Sequence, residues 1–231
     1  MTRKWAFGLL LAAGFACQAS AATISYTDLP NGASSAVVGD FTVAATGNGA
    51  GGVFGYKTVN GYTGVGVSGG GSVVDGEIDK NETISFTSGN IHTLTGFTLA
   101  FLYSDGFMGD SVFEAAVATA TGHVLTTLVI TTTSPTTATL TGAAGTVTNI
   151  SPGNDGGGGV WAVSGLAVPV YSVVFKSGAA GGAASFGDFA LVDVSFTAGV
   201  PEPATWGMML VGFAGLSLVT ARRRRVALAA V

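Results

Sequence analysis

Apolar and polar residues alternate one by one along most of the chain between positions 22 and 199. Ile84 and Phe86 alternate with Thr83, Ser85 and Thr87. Phe97, Leu99, Phe101 and Tyr103 share one side of an extended chain, with Thr98 and Ala100 on the other. Val37, Phe41, Val43 and Ala45 oppose Val38, Asp40, Thr42 and Ala44 in the same way. So do Tyr171, Val173 and Phe175 against Ser172, Val174 and Lys176, and Ala190, Val192, Val194 and Phe196 against Leu191, Asp193 and Ser195. Successive side chains of a strand point to opposite faces, so this period predicts half-buried strands. No stretch of ten residues between 22 and 199 carries a helical period. Glycine clusters such as Gly69-Gly70-Gly71 and Gly156 to Gly159 separate the runs and read as turns. Many short strands with glycine-rich turns predict an all-β, two-sheet β-sandwich of jelly-roll type.

Both chain ends break the pattern. The run from Trp206 to Ala221 holds sixteen residues and no charge. As a helix it would be about 24 Å long, somewhat less than the roughly 30 Å hydrocarbon core of a bilayer. Trp206 suits the interface, and the stems of Arg222, Arg223, Arg224 and Arg225 can reach the headgroups. Arginine beside a span marks the cytoplasmic side, so the run predicts a transmembrane helix with everything before it outside the inner membrane. At the other end, Arg3 and Lys4, an apolar stretch from Trp5 to Phe15 and the small residues Ala19-Ser20-Ala21 predict a signal peptide cut between Ala21 and Ala22. Cys17 also admits a lipoprotein, although Gly14-Phe15-Ala16 before it fits that poorly. Three segments result: a signal peptide at 1–21, a β-sandwich body at 22–199 and a sorting tail at 200–231. The body then holds no cysteine, and its core must suffice without a disulfide.

The tail opens with Pro201-Glu202-Pro203 and the spaced Trp206, followed by Met208-Met209, a glycine-dotted apolar run and the arginine block. In this order and at this end of the chain, it resembles the PEP-CTERM sorting signal of Gram-negative bacteria, closest to the PEPxxWA variant with Gly207 in place of alanine. The resemblance implies an exported protein whose tail is processed by an exosortase, a membrane-embedded cysteine transpeptidase. It implies delivery to the cell surface or to an exopolysaccharide matrix such as that of a biofilm. The catalytic groups of that reaction belong to the exosortase; this chain is the substrate.

Charge narrows the partners. The body carries three lysines against twelve acids, a net −9, which the whole-chain −4 conceals because the two ends are basic. Nucleic acid is therefore not a partner. The acids concentrate in Asp75-Gly76-Glu77-Ile78-Asp79-Lys80-Asn81-Glu82. On an extended chain Asp75, Glu77 and Asp79 would point the same way, and hard oxygen ligands so placed suit Ca²⁺. A solvated strand edge whose charges prevent aggregation is the competing account. Gly64-Val65-Gly66-Val67 with Glu77-Ile78-Asp79 and Asn81-Glu82 also resembles a signature of other PEP-CTERM ectodomains, which are similar to carbohydrate-binding jelly rolls. That resemblance implies a structural calcium shared with an acid of the last strand, Asp188 or Asp193.

Catalytic motifs are weaker. Gly66-Val67-Ser68-Gly69-Gly70 matches the nucleophile-elbow spacing, but more glycine follows where a helix is needed. His92 and His123 are the only possible bases. Gly64 to Gly69 and Gly47 to Gly52 match the dinucleotide spacing and lack the helix as well. Trp161 could stack on a sugar, yet Val160, Ala162 and Val163 around it favour a core position. The expectation is a non-enzymatic surface or matrix protein. A carbohydrate-binding module with a structural Ca²⁺ is the alternative, and an extracellular hydrolase stands behind that.

Overall fold

In a computed structural model the described residues are 21–49, 51–72, 74–105, 114–152, 159–178, 187–198, 207 and 209–217. The chain divides into two units, Ser20–Gly199 on one hand and the two ends, Met1–Ala19 and Val200–Val231, on the other. In the first unit the described residues are strand-rich throughout, and the helical content is a single 3-10 turn at Tyr26–Asp28.

The strands are β1 (Ala21–Ser25), β2 (Ser35–Val38), β3 (Phe41–Thr46), β4 (Val53–Val59), β5 (Tyr62–Ser68), β6 (Thr83–Ala100) and β7 (Ala115–Thr121). They continue with β8 (Leu125–Ser134), β9 (Thr137–Thr141), β10 (Thr146–Asn149), β11 (Trp161–Ser164), β12 (Val168–Gly178) and β13 (Ala190–Ala198). All thirteen belong to one antiparallel sheet, where the sequence pattern predicts two. The reason is β6, which at 18 residues is long enough to serve two sets of partners. Its first part, Thr83 to Ser88, lies between β3 and β12. Its last part, His92 to Ala100, lies between β13 on one edge and, in turn, β12 and β11 on the other. Two wings are thus joined through one common strand.

The inward residues of both wings form one core. It includes Phe41, Phe86 and Phe175 from the first wing and Phe97, Trp161 and Phe196 from the second. Phe41 stacks on Phe196 at 4.2 Å between ring centroids, and Phe97 meets Phe175 edge-on at 5.2 Å. Edge-on and offset rings are the arrangements that aromatic quadrupoles favour.

The face of the first wing that turns from this core is uniform. The register of β2, β3, β6, β12, β7 and β8 lines up Val37, Thr42, Thr87, Ser172, Thr121 and Leu125 in one row. The next row is Ser35, Ala44, Ser85, Val174, Thr119 and Thr127. Neither row holds a charge. The third row, from Thr46 through Thr83, Lys176, Val117 and Val129 to Thr141, holds one.

In the other unit, residue 207 and residues 209–217 are helical. Met209, Leu210, Val211, Phe213 and Leu216 are exposed on that helix. Among the described residues no helix is long and apolar enough to cross a membrane. The expected span of 206–221 is described only in this part. The signal peptide up to residue 20, the motif residues Pro201, Glu202, Pro203 and Trp206, and Arg222 to Arg225 lie outside the described residues.

Candidate functional site

The acidic segment is not the extended strand that its spacing predicts. Gly76 adopts φ +85°, and Lys80 adopts φ +42°, unusual for a residue with a side chain. One turn closes where the Glu77 amide donates to the Val74 carbonyl at 3.2 Å. Another closes where the Glu82 amide donates to the Asp79 carbonyl at 2.8 Å. Between them the chain crosses β5 and the residue just before β13: Val67 bridges Glu77, and Ile78 bridges Phe189. The crossing is close. A Cβ added at Gly66 would fall inside the backbone of Glu77. The glycine of the Gly64-Val65-Gly66-Val67 signature is therefore explained by packing: only a residue without a side chain lets the acidic segment lie on β5.

The two turns sort the acids into two groups. Glu77, buried, forms an ion pair with Lys57 Nζ at 2.9 Å, with Asp188 beside it. Burial, and then the charge of Asp188, push the Glu77 carboxyl up to about 7, while Lys57 pulls in the opposite direction. Lys57 also lies 5.8 Å from the centroid of Phe101. In the second group the Gly69 amide donates to Asp75 Oδ1 at 3.2 Å and the Val74 amide to Asp79 Oδ2 at 2.7 Å. The Asp79 amide donates to Glu82 Oε2 at 3.2 Å. Glu82 is fully buried, and its Oε1 has no hydrogen-bond partner among the described residues. Burial first, set against the Asp79 amide, pushes its carboxyl up to about 7.

Of the four carboxylates expected to share a calcium, Glu77 and Asp188 come together, and Asp75 and Asp79 belong to the other group. Among the described residues no three of His, Cys, Asp and Glu are arranged to hold a metal ion. Glu77 is paired with Lys57, and Asp75, Asp79 and Glu82 accept from backbone amides. Lys57 is the important member that sequence reasoning missed, and Glu82 was read there only as part of the acidic run and its signature. A signal was present in Glu82, which follows Asp79 at the spacing of a turn whose side chain reaches back to the first amide.

A further buried carboxylate, Glu114, lies away from this segment. Glu114 accepts a hydrogen bond from the Tyr103 amide. The Thr132 hydroxyl donates to the Tyr103 carbonyl at 2.6 Å and lies 3.2 Å from the Glu114 carbonyl. Trp161 Nε1 donates to the Leu102 carbonyl at 2.9 Å, and the ring is only 2% exposed. Trp161 is thus a core residue and offers no platform to a sugar. The groups fix the point where the chain leaves β6 with Phe101 at φ +67°.

The residues of the hydrolase reading are dispersed. Ser68 ends β5 opposite Val53 in a strand pair, with a turn and no helix after it. His92, 6% exposed, meets a different serine: its Nε2 lies 3.1 Å from Ser88 Oγ and 3.8 Å from Asp40 Oδ2. Both contacts fall on one ring nitrogen, so they do not form the relay in which an acid orients one nitrogen and a nucleophile meets the other. His123 packs edge-on against Tyr171 at the tip of the β7–β8 hairpin.

Strands, buried carboxylates and a sheet face whose rows hold no acid define an acidic all-β domain, and a short apolar helix follows it in the sequence. In a comparison with known families, residues 199–225 match the PEP-CTERM protein-sorting motif. The motif marks an exported protein that is processed by an exosortase. No curated protein and no solved structure matches the chain.

Proposed function

We propose that the chain is a cell-surface or extracellular-matrix protein whose body is a non-catalytic structural or adhesive domain. The observation that supports this most is positional. Strand β13 ends at Ala198, and the matched sorting motif begins at residue 199. The body is therefore complete as a folded sheet before the exosortase substrate begins, so removal of the tail costs the sheet no strand. In this reading the signal peptide at 1–21 is removed on export. The exposed apolar helix at 209–217 belongs to a membrane anchor completed by Arg222 to Arg225, and the two wings pack face to face as a β-sandwich. The test is a blot for the protein in cells with and without the exosortase. A longer, membrane-bound species is expected in the deletion strain, and identical bands in both strains would refute processing.

One observation favours a second reading, carbohydrate binding. A hollow of about 340 Å³ lies over β6 between β13 and β11, lined by Thr95, Gly96, Thr98, Ser164, Asp193 and Ser195. Burial pushes the Asp193 carboxyl up, with the Thr98 hydroxyl pulling it back. Hydroxyls around one carboxylate suit a neutral sugar that donates to it. Glycan-array binding that is lost in Asp193→Ala would support this reading, and an array without hits would end it.

A further inference from the structure

The charge-free rows across the first wing have a property that goes beyond the function proposed above. Val37 and Leu125 are 77% and 66% exposed, far more than an average strand position would leave a large apolar side chain. They occupy opposite ends of the same row, which reads Val37, Thr42, Thr87, Ser172, Thr121, Leu125. Five strand spacings of about 4.8 Å separate them by roughly 24 Å. We propose that this face is where two copies of the chain meet. They are related by a two-fold axis that runs parallel to the strands, in the plane between the two sheets, and passes between β6 and β12.

Three observations select a second copy as the occupant. The first is self-complementarity. A two-fold axis so placed reverses the row, so that Val37 of one copy falls on Leu125 of its partner and Leu125 on the partner's Val37. Thr87 then meets the partner's Ser172 near the axis. Each exposed apolar end finds an apolar end, as an isologous interface requires. The second is charge. The body is net −9, so two copies repel wherever acids approach. None of the three rows contains an acid, and this face lets two copies approach without that penalty. The third is size. Rows repeat every 6.8 Å or so along a strand, and a face about 24 Å wide and 20 Å deep offers about 1,000 Å² in total over both copies. That is the low end of specific interfaces, and it suits a weak, reversible dimer. Lys176, in the third row, is the one charge the arrangement must accommodate, and its long stem can carry the ammonium outward.

Cys17 is the only cysteine of the chain, so Cys17→Ser leaves a background in which every thiol is an introduced one. In the full chain on that background, mild oxidation of the Val37→Cys, Leu125→Cys double variant should give a disulfide-linked dimer. Neither single variant should do so. Association through the apolar tail does not place residue 37 beside residue 125, so it cannot mimic this result. In sedimentation experiments Val37→Lys with Leu125→Lys should weaken association by about a hundredfold or more, and Lys176→Thr should strengthen it. The proposal is overturned if the double-cysteine variant stays monomeric. It is overturned equally if Val37→Cys alone cross-links as readily as the pair, or if the double-lysine variant associates like the parent.

Discussion

The acidic turn beside β5 and the hydroxyl rows across β2 to β8 are both built from polar residues on a sheet, and they treat water in opposite ways. In the turn, Glu77 and Glu82 are withdrawn from solvent and each depends on a few named partners. In the rows, threonine, serine and valine stay at the surface and hold solubility without charge. A buried carboxylate carries a desolvation cost that its neighbours must offset, so each neighbour matters. An exposed hydroxyl is satisfied by water whatever stands beside it. Sensitivity to substitution should therefore be concentrated at the turn and nearly absent from the rows.

The sharpest contrast is steric. Gly66→Val puts a branched side chain where the Glu77 backbone already lies. A loss of about 3 kcal/mol is expected, enough to prevent folding in a marginal background. A denaturant midpoint close to that of the parent would mean that the acidic segment can lift away from β5. Next is charge. Lys57→Met leaves Glu77 buried without its cation while keeping most of the side-chain volume. The loss should be about 2 kcal/mol at pH 8, less than a fully buried pair would give because Lys57 is one-third exposed. At pH 5 the loss should be small, since Glu77 is then protonated. Equal losses at both pH values would show that Lys57 acts through packing alone.

These partners were only partly legible in the residue pattern. The alternation located the strands, and it failed where β12 and β13 take in an extra residue. Tyr171 is out of phase with Val173 and Phe175 because β12 shifts between Val170 and Ser172. Val192 leaves the core face because β13 shifts between Leu191 and Asp193. A period of two cannot reveal an inserted residue, which reverses every side chain beyond it. Val37 is exposed because Gly39, at φ +56°, turns the chain between β2 and β3, so Val37 and Phe41 belong to different strands. The acidic segment misled for the same reason. Gly76 turns it, and three acids with one spacing no longer share one side. The sorting tail was legible because its signal is a linear order of residue types and needs no register.

The turn should also give the body its pH dependence. Glu77 and Glu82 both have carboxyls pushed up to about 7, against an ordinary value near 4.5. Between those values the folded chain holds protons that the unfolded chain has released. Stability therefore falls as pH rises through this window, and it levels off above 7. The contribution is complete below about 4.5 and is lost by about 7 to 8. Glu82→Gln, which is neutral at every pH, should flatten part of this slope and unfold at a higher temperature than the parent at pH 8. Melting curves at pH 5, 6, 7 and 8 measure both effects. A parent more stable at pH 8 than at pH 5 would contradict the burial of these carboxylates.

The smallest effect belongs to the rows. Thr119 and Thr127 stand directly opposite each other on β7 and β8, at the β8 end of the second charge-free row. Replacing both with valine keeps the branched shape, the strand preference and the volume, and removes two hydroxyls whose alternative partner is water. The folding free energy should change by less than about 0.5 kcal/mol. The hydrophobic contact between the new side chains should roughly offset their added exposure. Chemical denaturation at a protein concentration low enough to keep the chain monomeric is the measurement. A loss above 1 kcal/mol or so would show that these hydroxyls hold specific partners, as the carboxylates of the turn do. The difference between the two regions would then lie in the strength of their bonds, and no longer in whether water can replace them.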